Sequence, residues 1–492
     1  MNRRQFLRAA AILGGGAMIA GGLDYILAPP TAVTTPTSSS VVTSGSSSTG
    51  QLPSFSKDYT DFLEWLGTAS KSLAGKRLNI SLESEFMPLA IQQRDTDFAS
   101  VTNITDGYNL EPYSLQLAAV QLMTSTQSPT YDVFSVDNQN LGVFNQSMVS
   151  PFDLASRYPE LTYPNQNYED FLPILWNNVA TYPPAPSGAQ GGNSASNVFM
   201  LPFDTPVMIF FYRKDIYDGL GIDPPSTWDE YFEDAKMLTG SQEVQFGAVS
   251  EASPTISVVY EFTVHLASFG ASLWEVDGNQ ISPVMDSDNA VAALENFVRF
   301  QPYSDVSSSN YSWPDIFTSL ERGFSACGLL WHDYTDWLND PQRSVEAGKF
   351  GFTAPPAGPK GTFSTFGGAG VGLSKYSNNP EAAWLWLQWA TAAGTEEALL
   401  LDTYHILPGR QSAINSAEVQ GVIKQSSYAA SMLAYNLYNS RNVVALVGFP
   451  QWFKALDIIS QHLNSAWLQQ ETPRDAMTTA KQEIESLGQL TF

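Results

Sequence analysis

The sequence predicts an α/β protein built in two lobes. Short β-rich runs alternate with amphipathic stretches, the pattern of strands joined by helices. Residues 53–492 run on without another linker, which is too long for one core. In sheets of this kind ligands collect beyond the carboxyl ends of the strands, so strand ends are where candidate site residues are sought.

The first element is a targeting segment. Asn-Arg-Arg-Gln-Phe-Leu-Arg, residues 2–8, places Arg3, Arg4 and Arg8 ahead of an apolar stretch, Ala9 to Leu27, whose one charge is Asp24. A basic head followed by an apolar run is an export signal, and the arginine pair followed by Phe6-Leu7 favours the twin-arginine route. Asn2 and Arg8 stand where that signal prefers Ser or Thr and Lys. Residues 1–28 are therefore read as a twin-arginine signal or signal-anchor. Residues 29–52, dominated by Ser, Thr, Val, Pro and Gly, are read as a disordered stalk, because such a segment buries too little apolar surface to offset its ordering entropy. A stalk needs a held end. With no cysteine near the signal, lipidation is set aside and the uncleaved apolar segment is the anchor, since a spanning helix needs about 20 apolar residues. The expectation is a protein tethered to the outer face of the cytoplasmic membrane, with a cleaved and secreted one as the alternative.

The next elements are read from periodicity and punctuation. Leu78 to Leu82 is a strand after the turn Ala74-Gly75-Lys76. Tyr113 to Leu122 is helical, and Tyr131 to Val136 is a strand ending in Asp137-Asn138. Val207 to Tyr212 is a β-rich apolar run, followed by a short helix that Gly221 stops. Pro224-Pro225 forces an extended link. Ser226 or Thr227 then caps a helix with Glu230 placed for a capping box, and Trp228, Tyr231, Phe232, Ala235 and Leu238 form its apolar stripe.

Composition narrows the function. A net charge of -25, from 24 basic and 49 acidic residues, excludes nucleic acid, which needs basic stripes, and argues against anionic lipid. Cys327 is the single cysteine, so no intrachain disulfide and no cysteine metal cluster can form. Only 15% of residues are charged, which suits a medium where carboxylates titrate, so an acidic habitat is the suggestion.

The stretch Phe203 to Leu238 resembles a segment of the extracellular solute-binding proteins of the maltose-binding-like family. The matching residues are Tyr212 to Tyr217 and Gly221 to Glu230, with Arg213 in place of the usual Asn. Six further pieces follow the family's order: Tyr131-Asp132-Val133, Ser150 to Leu154, the stretch around Gly270 to Phe297, Phe366 to Ala390, Ile406 to Ser412, and Ser465 to Leu487. The resemblance implies a two-lobed periplasmic-binding-protein-like (type II) fold that closes on a solute. It implies lobe 1 at 53–204 plus 355–407 and lobe 2 at 205–354 plus 408–492. Crossings are placed near Phe203 to Val207, Phe352 to Pro356 and Leu407 to Gln411. The implied function is capture of a sugar or oligosaccharide and its delivery to the permease subunits of an ABC importer, by a monomer without cofactor, metal or catalytic residues.

The ligand-binding candidates come from strand ends and family positions. Glu83, Ser84 and Glu85 follow the first strand, and Asp137 and Asn138 follow the next. Phe203 and Asp204 lie beside a crossing, and Trp331 and His332 follow the strand Gly328 to Leu330. Gly367 and Gly368 let backbone approach a ligand. Arg410 ends the last crossing and Trp452 opens a helix. Each has a structural counter-reading: a tryptophan packs in the core, Glu83 caps a helix, Arg410 pairs with a structural carboxylate. Trp384, Trp386 and Trp389 are assigned to helix packing.

Enzyme readings are weaker. The four histidines have no metal spacing, Gly323 to Cys327 misses the serine-hydrolase elbow, and Gly367 to Gly372 lacks dinucleotide spacing. A secreted glycoside hydrolase with paired carboxylates in an aromatic cleft is the serious alternative. A stalked adhesion protein would show repeats, and none is found.

Overall fold

In the computed structural model, residues 57–184, 196–402 and 404–492 are described; the signal and stalk expected at residues 1–52 lie outside them. The strands in chain order are β1 (Arg77–Glu83), β2 (Thr105–Glu111), β3 (Val133–Asp137), β4 (Met148–Val149), β5 (Leu201–Asp204), β6 (Met208–Arg213), β7 (Phe246–Val249), β8 (Trp274–Asp277), β9 (Gln280–Pro283), β10 (Ser325–Trp331), β11 (Phe350–Thr353), β12 (Ser364–Thr365), β13 (Ala369–Ser374), β14 (Val443–Val444) and β15 (Leu490–Thr491).

Two main sheets result. The first runs β2-β1-β3-β13-β4, with β5 also on β13; the second runs β11-β6-β10-β7. In the first, β1 pairs in parallel with β2 and β3, while β13 runs antiparallel to β3, β4 and β5. In the second, β6 runs antiparallel to β10 and β11, and β10 parallel to β7. The chain leaves the first sheet at Asp204 and enters the second at Met208, so three residues separate a strand end of one from a strand start of the other.

Local sequence explains these elements. In β1, Leu78, Ile80 and Leu82 go to the core. β3, Val-Phe-Ser-Val-Asp, is buried on both faces, as a central strand covered by helices must be. It starts two residues later than expected, and just before it Asp132 pairs with Asn79, its N–H donating to the Asn79 carbonyl at 2.7 Å and its carboxyl accepting the Asn79 N–H at 2.9 Å. The helix Lys214–Leu220 stops at Gly221, whose φ of 68° suits a residue without a Cβ. Thr227 and Glu230 form the expected capping box of helix Trp228–Leu238, a motif that contributes about 1 kcal/mol.

The helix Pro380–Ala390 lies against β13 with Trp384, Trp386 and Trp389 fully buried. Each indole N–H finds an acceptor: Thr162 Oγ1 at 3.0 Å, the Tyr108 hydroxyl at 3.1 Å and the Tyr59 hydroxyl at 3.3 Å. These rings are core, as the sequence assigned them. The helix Ile256–Ser268 is buried over its whole length and packs on Asp288–Val298 and Trp452–Trp467.

Candidate functional site

Four strand ends meet where the chain passes between the sheets. Asp137 closes β3 and faces Ala369, the first residue of β13, while Asp204 at the end of β5 faces the same Ala369. Glu83 ends β1, beside β3 in the same sheet. Trp331 ends β10 and pairs with Met208, the start of β6. Three strands of the first sheet and one of the second therefore aim their ends at one region.

That region holds a narrow pocket of about 30 Å³ lined by Glu83, Glu85, Asp137, Asp204 and Asp333, the rings of Tyr113, Tyr260, Trp313, Trp331 and Tyr334, and Pro206 and Gly367. Glu83, Glu85, Tyr113, Trp313 and Tyr334 also line a groove of about 640 Å³, which continues along Ser84, Leu117, Gln121, Ser253, Thr255, Ser257, Trp337, Phe453 and Asp457. A groove of this size is what a small ligand needs, and it mixes apolar wall with a few polar groups.

Hydrogen bonds fix the walls. The Trp313 indole N–H donates to Glu85 Oε1 at 3.0 Å and the Tyr334 hydroxyl to Glu85 Oε2 at 3.4 Å, tying the loop after β1 to segments of the second sheet. The Tyr260 hydroxyl donates to Asp137 Oδ2 at 3.1 Å, and the Gln139 amide donates to both, each at 2.9 Å. The Asn140 amide holds the Tyr113 hydroxyl at 3.1 Å. Tyr113 meets Trp313 edge to face at 5.7 Å, and Tyr260 meets Trp331 likewise at 5.1 Å.

The electrostatics are one-signed. Burial pushes Glu83 well above the usual carboxylate range, and the carboxyls of Glu85, Asp137, Asp204 and Asp333 push it further. Burial raises Glu85 to about 7 against hydrogen bonds from Trp313 and Tyr334 that favour the anion. It raises Asp137 to about 6 and Asp204 to about 7. Asp333 rises well above its ordinary value by burial and by the charges of Asp204 and Glu85. No lysine, arginine or histidine lines the pocket or the groove. Among the described residues no group of three His, Cys, Asp or Glu side chains is arranged to hold a metal ion.

Of the residues expected from sequence, Glu83, Ser84, Glu85, Asp137, Asp204, Trp331 and Gly367 line these cavities. The others are engaged elsewhere. The Asn138 amide donates to the Leu446 carbonyl at 2.7 Å, and its backbone N–H donates to the Gly368 carbonyl. Phe203 is buried against Trp386. His332 Nδ1 accepts the Val207 N–H at 3.1 Å, and burial holds the ring down at about 3 and neutral. A Cβ on Gly368 would meet the Phe366 ring at 2.2 Å, so that glycine serves packing. Arg410 takes the structural role weighed against binding. Its Nε donates to the Thr391 carbonyl at 2.5 Å and its Nη1 to the Asn167 carbonyl at 2.6 Å, with the guanidinium 3.8 Å over the Phe171 ring. Trp452 is fully buried against Phe449, whereas its neighbour Phe453 lines the groove.

Sequence reasoning missed Tyr113, Tyr260, Trp313, Asp333 and Tyr334. Asp333 and Tyr334 follow Trp331-His332 and were within reach of the strand-end rule. Tyr260 sits in a helix buried on every face, where no periodicity separates it from core.

The sequence profile of the bacterial extracellular solute-binding proteins matches residues 93–397, more than half the chain. The chain belongs to that family. This solute-binding protein is 24% identical over 374 residues to a probable amino-acid ABC transporter periplasmic-binding protein of Sinorhizobium fredii, covering 74% of this chain and 79% of the relative. It is 25% identical over 232 residues to the erythritol/L-threitol-binding protein of Mycolicibacterium smegmatis, covering 46% of this chain and 49% of that one. Among solved structures, an ABC transporter solute-binding protein of Agrobacterium radiobacter in complex with ribitol superposes with a TM-score of 0.71 at 20% identity, over 84% of this chain and 99% of that one. A maltose-bound protein of T. maritima gives 0.72 at 20% identity, over 84% and 100%. At such identities the likeness establishes the two-lobed fold. The solute-binding protein has no helix, among its described residues, long and apolar enough to cross a membrane.

Proposed function

We propose that this protein captures a sugar or polyol in the groove and hands it to the permease of an ABC importer. The observation that carries this is the 640 Å³ groove with carboxyls, hydroxyls and the indoles of Trp313 and Trp337 in its wall. Sugar hydroxyls donate to carboxylates, and sugar C–H faces lie on aromatic rings. Of the four similar proteins, one is named an erythritol/L-threitol-binding protein and two are solved with ribitol and with maltose, which supports the same class, while the fourth is named a probable amino-acid-binding protein.

Glu83, Ser84, Asp137, Asp204, Trp331 and Gly367 are proposed as ligand-facing, together with the five residues found only from the structure. The lobes divide at the crossings, with 53–204 plus 355–407 in one and 205–354 plus 408–492 in the other. Solute drives closure because the closed form offers both walls at once, and the differential affinity sets how far the population moves. The protein works as a monomer held at the outer membrane face by its N-terminal segment.

Thermal unfolding against a panel of sugars and polyols tests the reading. A ligand that binds the folded state raises the melting temperature by mass action. A clear shift by one member, with that sugar recovered unchanged by chromatography, supports the receptor. Its conversion to products overturns the reading in favour of a glycosidase.

A further inference from the structure

We infer that the inner pocket receives the protonated amine of an amine-bearing sugar or polyol, with the wider groove holding the hydroxylated remainder. The inference rests on the solute-receptor reading and names the class of solute.

The pocket gathers acids without a matching base. Five carboxyls face about 30 Å³ of space, and no cationic side chain is present to balance them. No hydrogen bond holds the carboxyl of Glu83; its surroundings are burial and four other carboxyls. Oδ1 of Asp333 is buried without a partner. Burying an unpaired polar or charged group is costly, so natural interiors keep such groups paired. A neutral polyol can donate hydrogen bonds here but brings no charge. An ammonium brings three N–H donors and the missing positive charge together.

The rings point to the same guest independently. Tyr113, Tyr260, Trp313, Trp331 and Tyr334 surround the carboxyls, and aromatic faces attract organic cations most strongly where water is excluded. The available volume suits one or two groups the size of a water molecule, which is also the size of an ammonium head. A metal ion fits less well, since no three carboxyls are arranged around a common point among the described residues. The groove carries serines and a threonine from Ser253 to Ser257, suited to hydroxyl groups beyond the amine.

The groups facing the amine are all acids or phenols: Glu83, Glu85, Asp137, Asp204 and Asp333, then Tyr113, Tyr260 and Tyr334. Glu85 and Asp204, raised to about 7, are partly protonated in the empty pocket at neutrality. An arriving ammonium displaces those protons, so binding releases them to the buffer.

The test is calorimetry on the full chain at pH 7 with matched pairs: 1-amino-1-deoxysorbitol against sorbitol, and glucosamine against glucose. Each titration is run in two buffers of different ionisation enthalpy. The expected result is an amine that binds at least about tenfold tighter than its neutral partner and releases protons. Asp333→Asn should then cut the amine's advantage by about fivefold. A neutral partner that binds as tightly, or amine binding without proton release, overturns this inference and leaves the receptor reading standing. Absence of binding by both members of both pairs overturns the receptor reading for polyols as well.

Discussion

Strand β6 has a cluster of acids at each end, and the two are built in opposite ways. At the far end Arg213 is buried, and its guanidinium donates to both carboxylate oxygens of Asp215, at 2.8 and 2.7 Å, with Glu346 at 3.2 Å. Burial pushes Asp215 up, but the hydrogen bonds and charge of Arg213 outweigh it and hold the carboxyl below its usual range. At the near end, just before β6, Asp204 joins four other acids with no base among the lining residues. A fold that keeps its acids for stability supplies a cation within the chain. A fold that keeps them for a guest leaves the place open.

The comparison breaks most readily at Arg213. Arg213→Met keeps the stem but leaves Asp215 without its guanidinium and Glu346 with Lys349 alone, and should cost about 2 kcal/mol in denaturant unfolding at neutral pH, a low figure because Asp215 is partly exposed. Solute affinity should stay unchanged. A loss of affinity equal to that of a groove variant would show that the two ends are not separate.

Glu85→Ala acts at the other end. It removes the acceptor of the Trp313 and Tyr334 hydrogen bonds that join the two sides of the cleft. Hydrogen bonds to a charged group contribute about 1.5–3 kcal/mol, so solute affinity should fall at least about tenfold. Unchanged affinity by calorimetry would place closure elsewhere.

How much of this contrast was legible beforehand differs by element. Glu83, Asp137 and Trp331 were found because the rule that ligands gather at strand ends depends only on locating strands, whereas Asp204 was named for lying beside a crossing that the family resemblance implied. Ser226-Thr227 and Glu230 announced a helix start that the structure realises at Thr227. Arg410 and Trp452 were placed at the site by resemblance, and their surroundings assign them to the framework. A buried arginine bonded to carbonyls of residues 167 and 391 cannot be foreseen from local sequence, because the partners are far away in the chain. Tyr260 and Trp313 enter the pocket from the second sheet's helices, and only the fold brings them beside Asp137 and Glu85.

Acidity sharpens the contrast. Asp137, Glu85 and Asp204 bind protons more tightly when folded than when unfolded, with values of about 6, 7 and 7 against ordinary values near 4. The folded state therefore takes up protons as pH falls. Stability from these groups is fully present below about pH 4 and is lost as pH rises through 6 to 7. The melting temperature of the empty protein should rise by a few degrees between pH 7.5 and pH 5. Asp215 works in the opposite direction, losing its contribution only in stronger acid. A protein that melts higher at pH 7.5 than at pH 5 would show the pocket acids are charge-balanced after all.

The smallest effect isolates one charge. Asp333→Asn in the empty protein keeps the shape of the side chain and removes a carboxyl that Asp204 and Glu85 repel. Relief of like charge should stabilise the fold by about 0.5–1 kcal/mol at pH 7.5, and the gain should vanish as pH falls below about 4, where the carboxyls become protonated in both states. The same change beside a matched base has the reverse sign: Asp215→Asn should destabilise at pH 7.5 because it removes the partner of Arg213. Opposite signs in chemical denaturation establish that one strand separates acids held for the fold from acids held for a ligand. Equal signs would mean that the pocket has a compensating cation of its own.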